Sequence, residues 1–191
     1  MAETLSTAFP GAADGPSSRQ ALIESASLCF AERGYAGSRL SEITDEAGLS
    51  IRAFYRHFPA KADLFRAVFI AYGEELQEAL ASAPSLEDKA AAWLRISRRH
   101  RGAVRAATEV VHRGNEPAHE QRRLRDQCAA ILAAELQTRL PWRRSRAAAL
   151  VLCDMLDQYV LMEASGWVPE REDEVVGRAV ADLVSGGLYA R

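Results

Sequence analysis

The segment at residues 40–64 constrains the fold most strongly, because it predicts two short helices joined by a tight turn. Its apolar residues recur at the spacing expected of helices that share a core: Leu40, Ile43, Ala47, Leu49, Phe54 and Phe58. Gly48 stands at the break, where a helix ending in a left-handed residue favours the one residue without a Cβ. Ser50 can cap the second helix. Pro59, which lacks an N–H, limits how far that helix runs.

The second of these helices is predicted to have a basic outer face. Winding it at about 3.6 residues per turn places Phe54 and Phe58 on one side. Arg52 and Arg56 then point almost directly away from the two phenylalanines. From Ala47 to Ala62 the chain contains a third cation, Lys61, and no acidic residue. Exposed arginines are often no more than a solvated surface, but this local positive charge lies where DNA phosphates would be in a helix-turn-helix complex.

Residues 43–64 resemble the DNA-binding segment of TetR-type (tetracycline-repressor-like) transcriptional regulators. The resemblance is carried by Ala47-Gly48, Tyr55, His57-Phe58 and Lys61. Residues 21–34, followed by Tyr35, are similar to the first helix of that family and the Gly-aromatic pair that closes it. The resemblance is specific over the first third of the chain and rests on helix count and length beyond it. It implies an all-α fold of about nine helices.

Helical periodicity dominates the whole chain, and no alternation typical of strands is found. A helix is predicted over residues 19–33, and a long one over residues 62–81, about 30 Å from end to end, can join two domains. Glycine and proline breaks divide the remainder into helices near residues 86–100, 103–113, 118–140, 142–165 and 170–190. We therefore expect a disordered leader at 1–18, a helix-turn-helix domain at 19–66, and a ligand-binding and dimerisation bundle at 67–191.

Composition limits the classes of protein that the chain can be. With 191 residues and 48% hydrophobic residues, it can build two packed domains, and its net charge of -2 argues against coating nucleic acid nonspecifically. Three widely spaced cysteines, without a CxxC pair, are typical of buried thiols in a reducing cytosol. No apolar run has the length of a membrane span. We expect a cytoplasmic protein with no membrane partner, no cofactor and no metal.

A helical enzyme is the competing hypothesis. His119-Glu120 begins like the HExxH helix of zinc proteases, but Arg123 stands where the second zinc ligand must be. Asp154 and Asp157 could form an acid pair, yet no histidine lies at a matching spacing. No GxSxG, P-loop or Rossmann glycine pattern is present. We therefore expect no catalytic residue.

Base reading is assigned to the outward face of the second short helix. Arg52 can bond guanine N7 and O6 together, and Arg56 is the second candidate. Ile51 and Ala53 could contact a thymine methyl group. In the TetR-type family, a basic residue, a small residue and a threonine commonly stand where Ile51, Arg52 and Ala53 stand here. The operator sequence therefore cannot be inferred from that of a relative.

The resemblance implies that further side chains hold the phosphate backbone: Tyr55, His57 and Lys61. Hydroxyl groups around the first short helix could add contacts. The candidate DNA interface is then Ser38, Ser41, Thr44, Ser50, Ile51, Arg52, Ala53, Tyr55, Arg56, His57 and Lys61.

The last two predicted helices favour a homodimer. The helix at residues 142–165 is apolar around most of its circumference, which one protomer rarely buries alone. The alternative is a central core helix in a monomer. A twofold dimer would place two reading helices in successive major grooves of double-stranded DNA, on a palindromic operator.

The resemblance also implies a small-molecule effector in the larger domain. Asp154, Asp157 and Gln158 share one sector of an apolar helix, and carboxylates there are costly to bury unpaired. A cationic ligand would offset that cost, as would Arg105 or Arg113 from a neighbouring helix, or solvent at the bundle edge. The candidate ligand-binding residues are Trp93, Glu109, His112, Asp154, Met155, Gln158, Tyr159 and Met162.

Two mechanisms remain open at this stage. In the first, the ligand-free heads of a repressor match the groove spacing, and an effector favours a packing that swings the connecting helices and spoils that match. In the second, a regulator without an effector signals by protein contact. Binding of ligand and operator must be coupled reciprocally in the first mechanism only.

Overall fold

The computed structural model describes residues 16–113, 118–138 and 140–189. Within these ranges the protein contains nine helices and no strand, so the all-α prediction is confirmed. The helices are α1 (Pro16–Gly37), α2 (Leu40–Glu46), α3 (Ile51–His57), α4 (Lys61–Ser82), α5 (Leu86–Arg99), α6 (Arg101–Arg113), α7 (Ala118–Leu136), α8 (Trp142–Ala164) and α9 (Asp173–Tyr189). The predicted leader lies outside the described residues up to position 15, and its last three residues belong to α1.

The first three helices share an aromatic core with the start of α4. Phe30, Phe54 and Phe65 are fully buried, and the ring of Tyr35 meets that of Phe65 edge-on at 5.4 Å between centroids. Helix α1 is kinked at Gly34, whose φ of 72° lies in the left-handed region that favours glycine. This kink turns the chain from α1 toward α2.

Helix α4 connects the two halves without a break. Its first turns bury Leu64 and Phe65 in the N-terminal core, and its later turns bury Leu76 and Leu80 against the larger bundle. A Cβ added to Gly73 would lie 2.9 Å from a methyl group of Leu124, so α4 and α7 pack closely there. The domain boundary expected near residue 67 therefore falls inside one continuous helix.

Helix α5 runs through the centre of the larger bundle. Ser85 caps it by accepting a hydrogen bond from the Asp88 N–H at 3.1 Å. At its other end, Arg98 forms a two-bond ion pair with Glu163 of α8, at 2.7 and 2.8 Å, and a second ion pair with Asp173 of α9. This cluster holds the end of α8 and the start of α9 against α5.

Within the described ranges, no helix combines the length and apolar character needed to span a membrane.

Candidate nucleic-acid interface and effector cavity

Local hydrogen bonds define the turn between α2 and α3. The Leu49 N–H donates to the Thr44 carbonyl at 2.8 Å, and Gly48 has a φ of 65°. A Cβ on Gly48 would meet no atom within 4 Å, so the dihedral angle rather than crowding favours glycine. Ser50 accepts a hydrogen bond from the Ala53 N–H at 3.1 Å, which confirms the predicted cap.

Helix α3 has one buried face and one exposed face. Phe54 and Phe58 are buried, whereas Arg52 and Arg56 are exposed, as predicted from the spacing. Two nearby acidic side chains are paired with other arginines: Glu42 with Arg33 and Asp63 with Arg66, each at 3.0 Å. Ile51 and Tyr55 are also exposed at 46% and 56%, and Ser41 and Ser50 lie on the surface.

Three residues expected at the DNA surface are buried in the structure, which contradicts their predicted exposure. Ser38 and Thr44 are each 1% exposed, and Ala53 is 2% exposed. The Ser38 hydroxyl donates to the Gly34 carbonyl at 2.7 Å, and the Thr44 hydroxyl donates to the Ser41 carbonyl at 2.9 Å. These hydroxyl groups satisfy the bends of their own chain. Small polar residues give no sequence signal that separates this role from a surface role.

Lys61 is held by its own domain. Its Nζ donates to the carbonyls of Tyr35 and Ser38 at 2.8 and 2.9 Å, and lies 4.5 Å from the centroid of the Tyr35 ring. The expected phosphate anchor therefore joins α4 to the end of α1 and to Ser38, which follows α1. His57 is partly buried, and its Nε2 has no hydrogen-bond partner among the described residues. Tyr55 is the most open of the three expected phosphate contacts.

Helix α6 is closely packed against α1, a contact that the sequence analysis missed. A Cβ on Gly102 would lie 2.9 Å from the Ser27 carbonyl carbon, so only glycine allows this approach. Arg105 donates to the carbonyls of Ala31 and Glu32 at 2.8 and 2.9 Å.

Glu109, on the same face of α6, accepts a hydrogen bond from the Ala36 N–H at 3.0 Å. Its carboxylate caps the kinked end of α1, and Glu109 does not line the same cavity as Trp93. In the sequence, Gly102 is the signal for this contact, because a glycine allows close helix packing. A glycine does not, however, show which helix packs against it.

A small cavity of about 40 Å³ lies between α4 and α8 and is partly open to solvent. Trp93 donates its indole N–H to Asp157 Oδ1 at 2.8 Å, and the hydroxyl groups of Tyr72 and Ser97 share a hydrogen bond of 2.9 Å. The walls combine apolar side chains with a few polar groups, as is typical of small-molecule sites. They are Phe69, Tyr72, Leu76, Trp93, Val104, Ala107, Thr108, Gln121, Leu124, Arg125, Cys128, Asp154 and Asp157.

Two carboxylates and one guanidinium group lie together in this cavity. Burial, together with the nearby charge of Asp154, raises the pKa of Asp157 to about 7, against the opposing hydrogen bond from Trp93. Arg125 pairs with Asp154 at 2.6 Å, rather than Arg105 or Arg113, the partners considered from sequence. Burial also raises the pKa of the Cys128 thiol to about 12, which keeps it neutral.

The predicted ligand-binding residues do not lie together in one site. Trp93 and Asp154 line the cavity. Met155 and Gln158 are exposed on the outer side of α8, so placing them in the cavity was wrong. Two further predicted residues, Tyr159 and Met162, do not line the cavity and are partly buried elsewhere on α8. The side chain of His112 lies outside the described residues.

Comparison with known proteins agrees with the helix-turn-helix geometry. The sequence model of a family described as "Bacterial regulatory proteins, tetR family" matches residues 22–68. The HTH-type transcriptional repressor AcnR of Corynebacterium glutamicum is 41% identical over 58 residues, which are 30% of this chain and 31% of AcnR. The HTH-type transcriptional activator FasR of Mycolicibacterium smegmatis is 33% identical over 92 residues, 48% of this chain and 37% of FasR. The chain thus matches about a third of the length of these curated relatives.

The fold extends the similarity to the larger domain. A TetR-like transcriptional regulator from Rhodococcus sp. RHA1 superposes with a TM-score of 0.75 at 20% identity, covering 96% of this chain and 100% of that one. At this identity the likeness shows a shared fold. Residues 22–68 are thus similar to the tetR family of bacterial regulatory proteins, and the chain as a whole shares its fold with a solved TetR-like regulator.

Proposed function

We propose that this protein is a transcriptional regulator that binds a palindromic operator in double-stranded DNA as a homodimer. The observation that carries the proposal is the orientation of α3, with Phe54 and Phe58 buried and Arg52 and Arg56 exposed. A short helix anchored by one apolar face can enter the major groove with the other. We propose repression, the activity named for AcnR, and a cytoplasmic location, where a regulator of bacterial genes meets DNA.

The exposed residues divide into reading and positioning groups. Arg52 suits bidentate contact with guanine, Arg56 is the second reader, and Ile51 suits contact with a thymine methyl group. Ser41, Ser50 and Tyr55 are proposed to contact phosphate through their hydroxyl groups. These contacts give the chain a localised DNA surface despite its net charge of -2.

Helices α8 and α9 are proposed to form the homodimer interface. Each exposes large apolar side chains: Val151 at 64% and Met155 at 37% on α8, and Val175 at 55% and Leu183 at 63% on α9. Such exposed apolar residues favour burial against a second copy. The partly buried Met162 continues the α8 stripe that contains Met155. The dimer would carry two copies of α3 to successive major grooves.

Helix α6 is proposed to couple an effector to DNA binding. One face of α6 lines the cavity with Val104, Ala107 and Thr108. The other face contacts α1 through Arg105 and Glu109. A small molecule that shifts α6 would therefore displace the end of α1 beside the helix-turn-helix. Because such coupling is reciprocal, operator DNA would weaken effector binding by the factor by which effector weakens operator binding.

Selection of bound sequences from random DNA duplexes tests the proposal. We expect enrichment of a palindrome whose half-sites are separated by about one or two helical turns, the spacing that a twofold dimer imposes. Enrichment of single, unpaired sites would contradict dimeric recognition. Failure to enrich any sequence, by a protein shown to be folded by circular dichroism, would contradict the proposed function.

A further inference from the structure

The cavity between α4 and α8 has more negative than positive side chains. Asp154 and Asp157 face it from α8, and Arg125 faces it from α7. Arg125 donates to Asp154 at 2.6 Å. Asp157 instead accepts from the neutral indole N–H of Trp93 at 2.8 Å. When both carboxylates are ionised, one negative charge is therefore uncompensated by a cation in the cavity wall.

The surroundings of Asp157 are mainly aromatic and apolar. Trp93 faces it from α5 and Tyr72 from α4, and the Tyr72 hydroxyl lies close enough to stabilise the carboxylate. The other titratable neighbours are the thiols of Cys128 and Cys153, which burial keeps protonated. Aromatic rings attract cations to their faces, and apolar walls favour an apolar ligand body.

We propose that this cavity binds a small protonated amine with an apolar body, whose ammonium group pairs with Asp157. This inference deepens the proposed function, since it names the chemical class of the effector, and it rests on that function for its regulatory meaning. The bound ammonium neutralises Asp157, just as Arg125 neutralises Asp154. The apolar body contacts Phe69, Leu76 and Leu124, which line the same cavity.

The proposal has a defined pH dependence. The free protein must ionise Asp157 to form the ion pair, and burial raises the pKa of that carboxyl to about 7. Ordinary primary amines stay protonated well above this pH, with pKa values about 10 like that of lysine. Amine affinity should therefore rise as the pH increases from about 6 to about 8, and then level off.

The test compares matched probes on the full-length protein. Phenethylamine and tryptamine provide protonated amines of two sizes, and 2-phenylethanol and tryptophol are their neutral analogues. Affinities are measured by calorimetry and by the rise in melting temperature. The test variant is Asp157→Asn, which preserves an acceptor for Trp93. The control is Asp126→Asn, which removes an exposed carboxylate of α7 outside the cavity.

We expect at least one amine to bind about tenfold or more tightly than its alcohol. Asp157→Asn should weaken that binding about tenfold and flatten its pH dependence, while Asp126→Asn should leave both unchanged. Equal binding of amine and alcohol, retention of amine binding by Asp157→Asn, or binding of neither amine would overturn the proposal. Operator binding is measured separately without a probe, so that failure of DNA recognition and failure of the amine assignment are distinguishable.

Discussion

Glu109 occupies the space that a side chain at Gly34 would need. A Cβ on Gly34 would lie 2.6 Å from Glu109 Cδ and closer still to its Oε1. Gly34 also has a φ of 72°, and the Glu109 carboxylate accepts the Ala36 N–H at 3.0 Å. The contact between the larger bundle and the DNA-binding head therefore depends on a residue without a side chain.

Replacing Gly34 by alanine should weaken both the fold and operator binding. With φ 72° and ψ 174°, Gly34 lies in a backbone region essentially restricted to glycine, so alanine costs about 1–3 kcal/mol there, and the new methyl group also displaces Glu109. Urea unfolding measures the stability loss, and fluorescence anisotropy measures operator affinity. Gly37→Ala is the control, because its Cβ would meet only Arg33 Cβ at 3.4 Å. Adding Glu109→Ala should relieve the steric part of the loss; a strictly additive double variant would contradict the proposed contact.

Replacing Lys61 by alanine should destabilise the DNA-binding head. The variant loses two hydrogen bonds to the carbonyls of Tyr35 and Ser38, with an expected cost of about 1–3 kcal/mol in the free energy of unfolding. Arg66→Ala is the control, because its partly exposed pair with Asp63 should contribute little. If Lys61→Ala leaves stability unchanged and weakens the salt dependence of DNA binding, then Lys61 contacts phosphate and does not stabilise the fold.

Asp157 should make stability depend on pH. Its pKa is about 7 in the folded protein, against an ordinary value of 3.8 for an aspartate, so the folded state holds an additional proton between these pH values. The contribution of this proton to the free energy of unfolding is fully present below about pH 3.8 and is lost as the pH rises through about 7. Over that range the free energy of unfolding falls by up to about 1.4 kcal/mol per pH unit. Urea unfolding from about pH 5 to about pH 8 should show this decline for the wild type. Asp157→Asn should remove it, and an identical slope in both proteins would refute the assignment.

Introducing a charge on α9 should dissociate the proposed homodimer. Leu183 is 63% exposed, and Leu183→Glu would place a carboxylate in the apolar contact between two copies. Sedimentation velocity should then detect monomers, and operator affinity should fall with the loss of the second head. Ile70→Glu is the control, since Ile70 is an exposed apolar residue of α4 at 41%. If Leu183→Glu remains dimeric, the interface must lie elsewhere.

The helix-turn-helix was predictable because its determinants are local. The spacing of Phe54 and Phe58, the glycine at position 48 and the cap at Ser50 all act within one short segment. Those determinants also orient α3, and with it the exposed arginines. Burial of Thr44 and Ser38 was not predictable, because their hydroxyl groups bond carbonyls only three or four residues away. That pattern is available to any such residue in a helix or turn.

The cavity and the α1–α6 contact depend on residues far apart in sequence. Glu109 meets Ala36 across 73 positions, and Arg125 meets Asp154 across 29. Periodicity places Met155 and Met162 on one face of α8, but it cannot say which neighbour, if any, that face meets. Packing of α8 against α7 and α5 decides the direction, and it leaves Met155 outside the cavity.

Base-by-base measurement of operator affinity tests the central claim most directly. Each position of the selected duplex is substituted in turn, and wild type is compared with Arg52→Ala. We predict that the variant loses about 1–3 kcal/mol of discrimination at one guanine position in each half-site and retains its preferences elsewhere. An unchanged preference at every position, in a variant that is folded and dimeric, would contradict the claim that α3 reads DNA through Arg52.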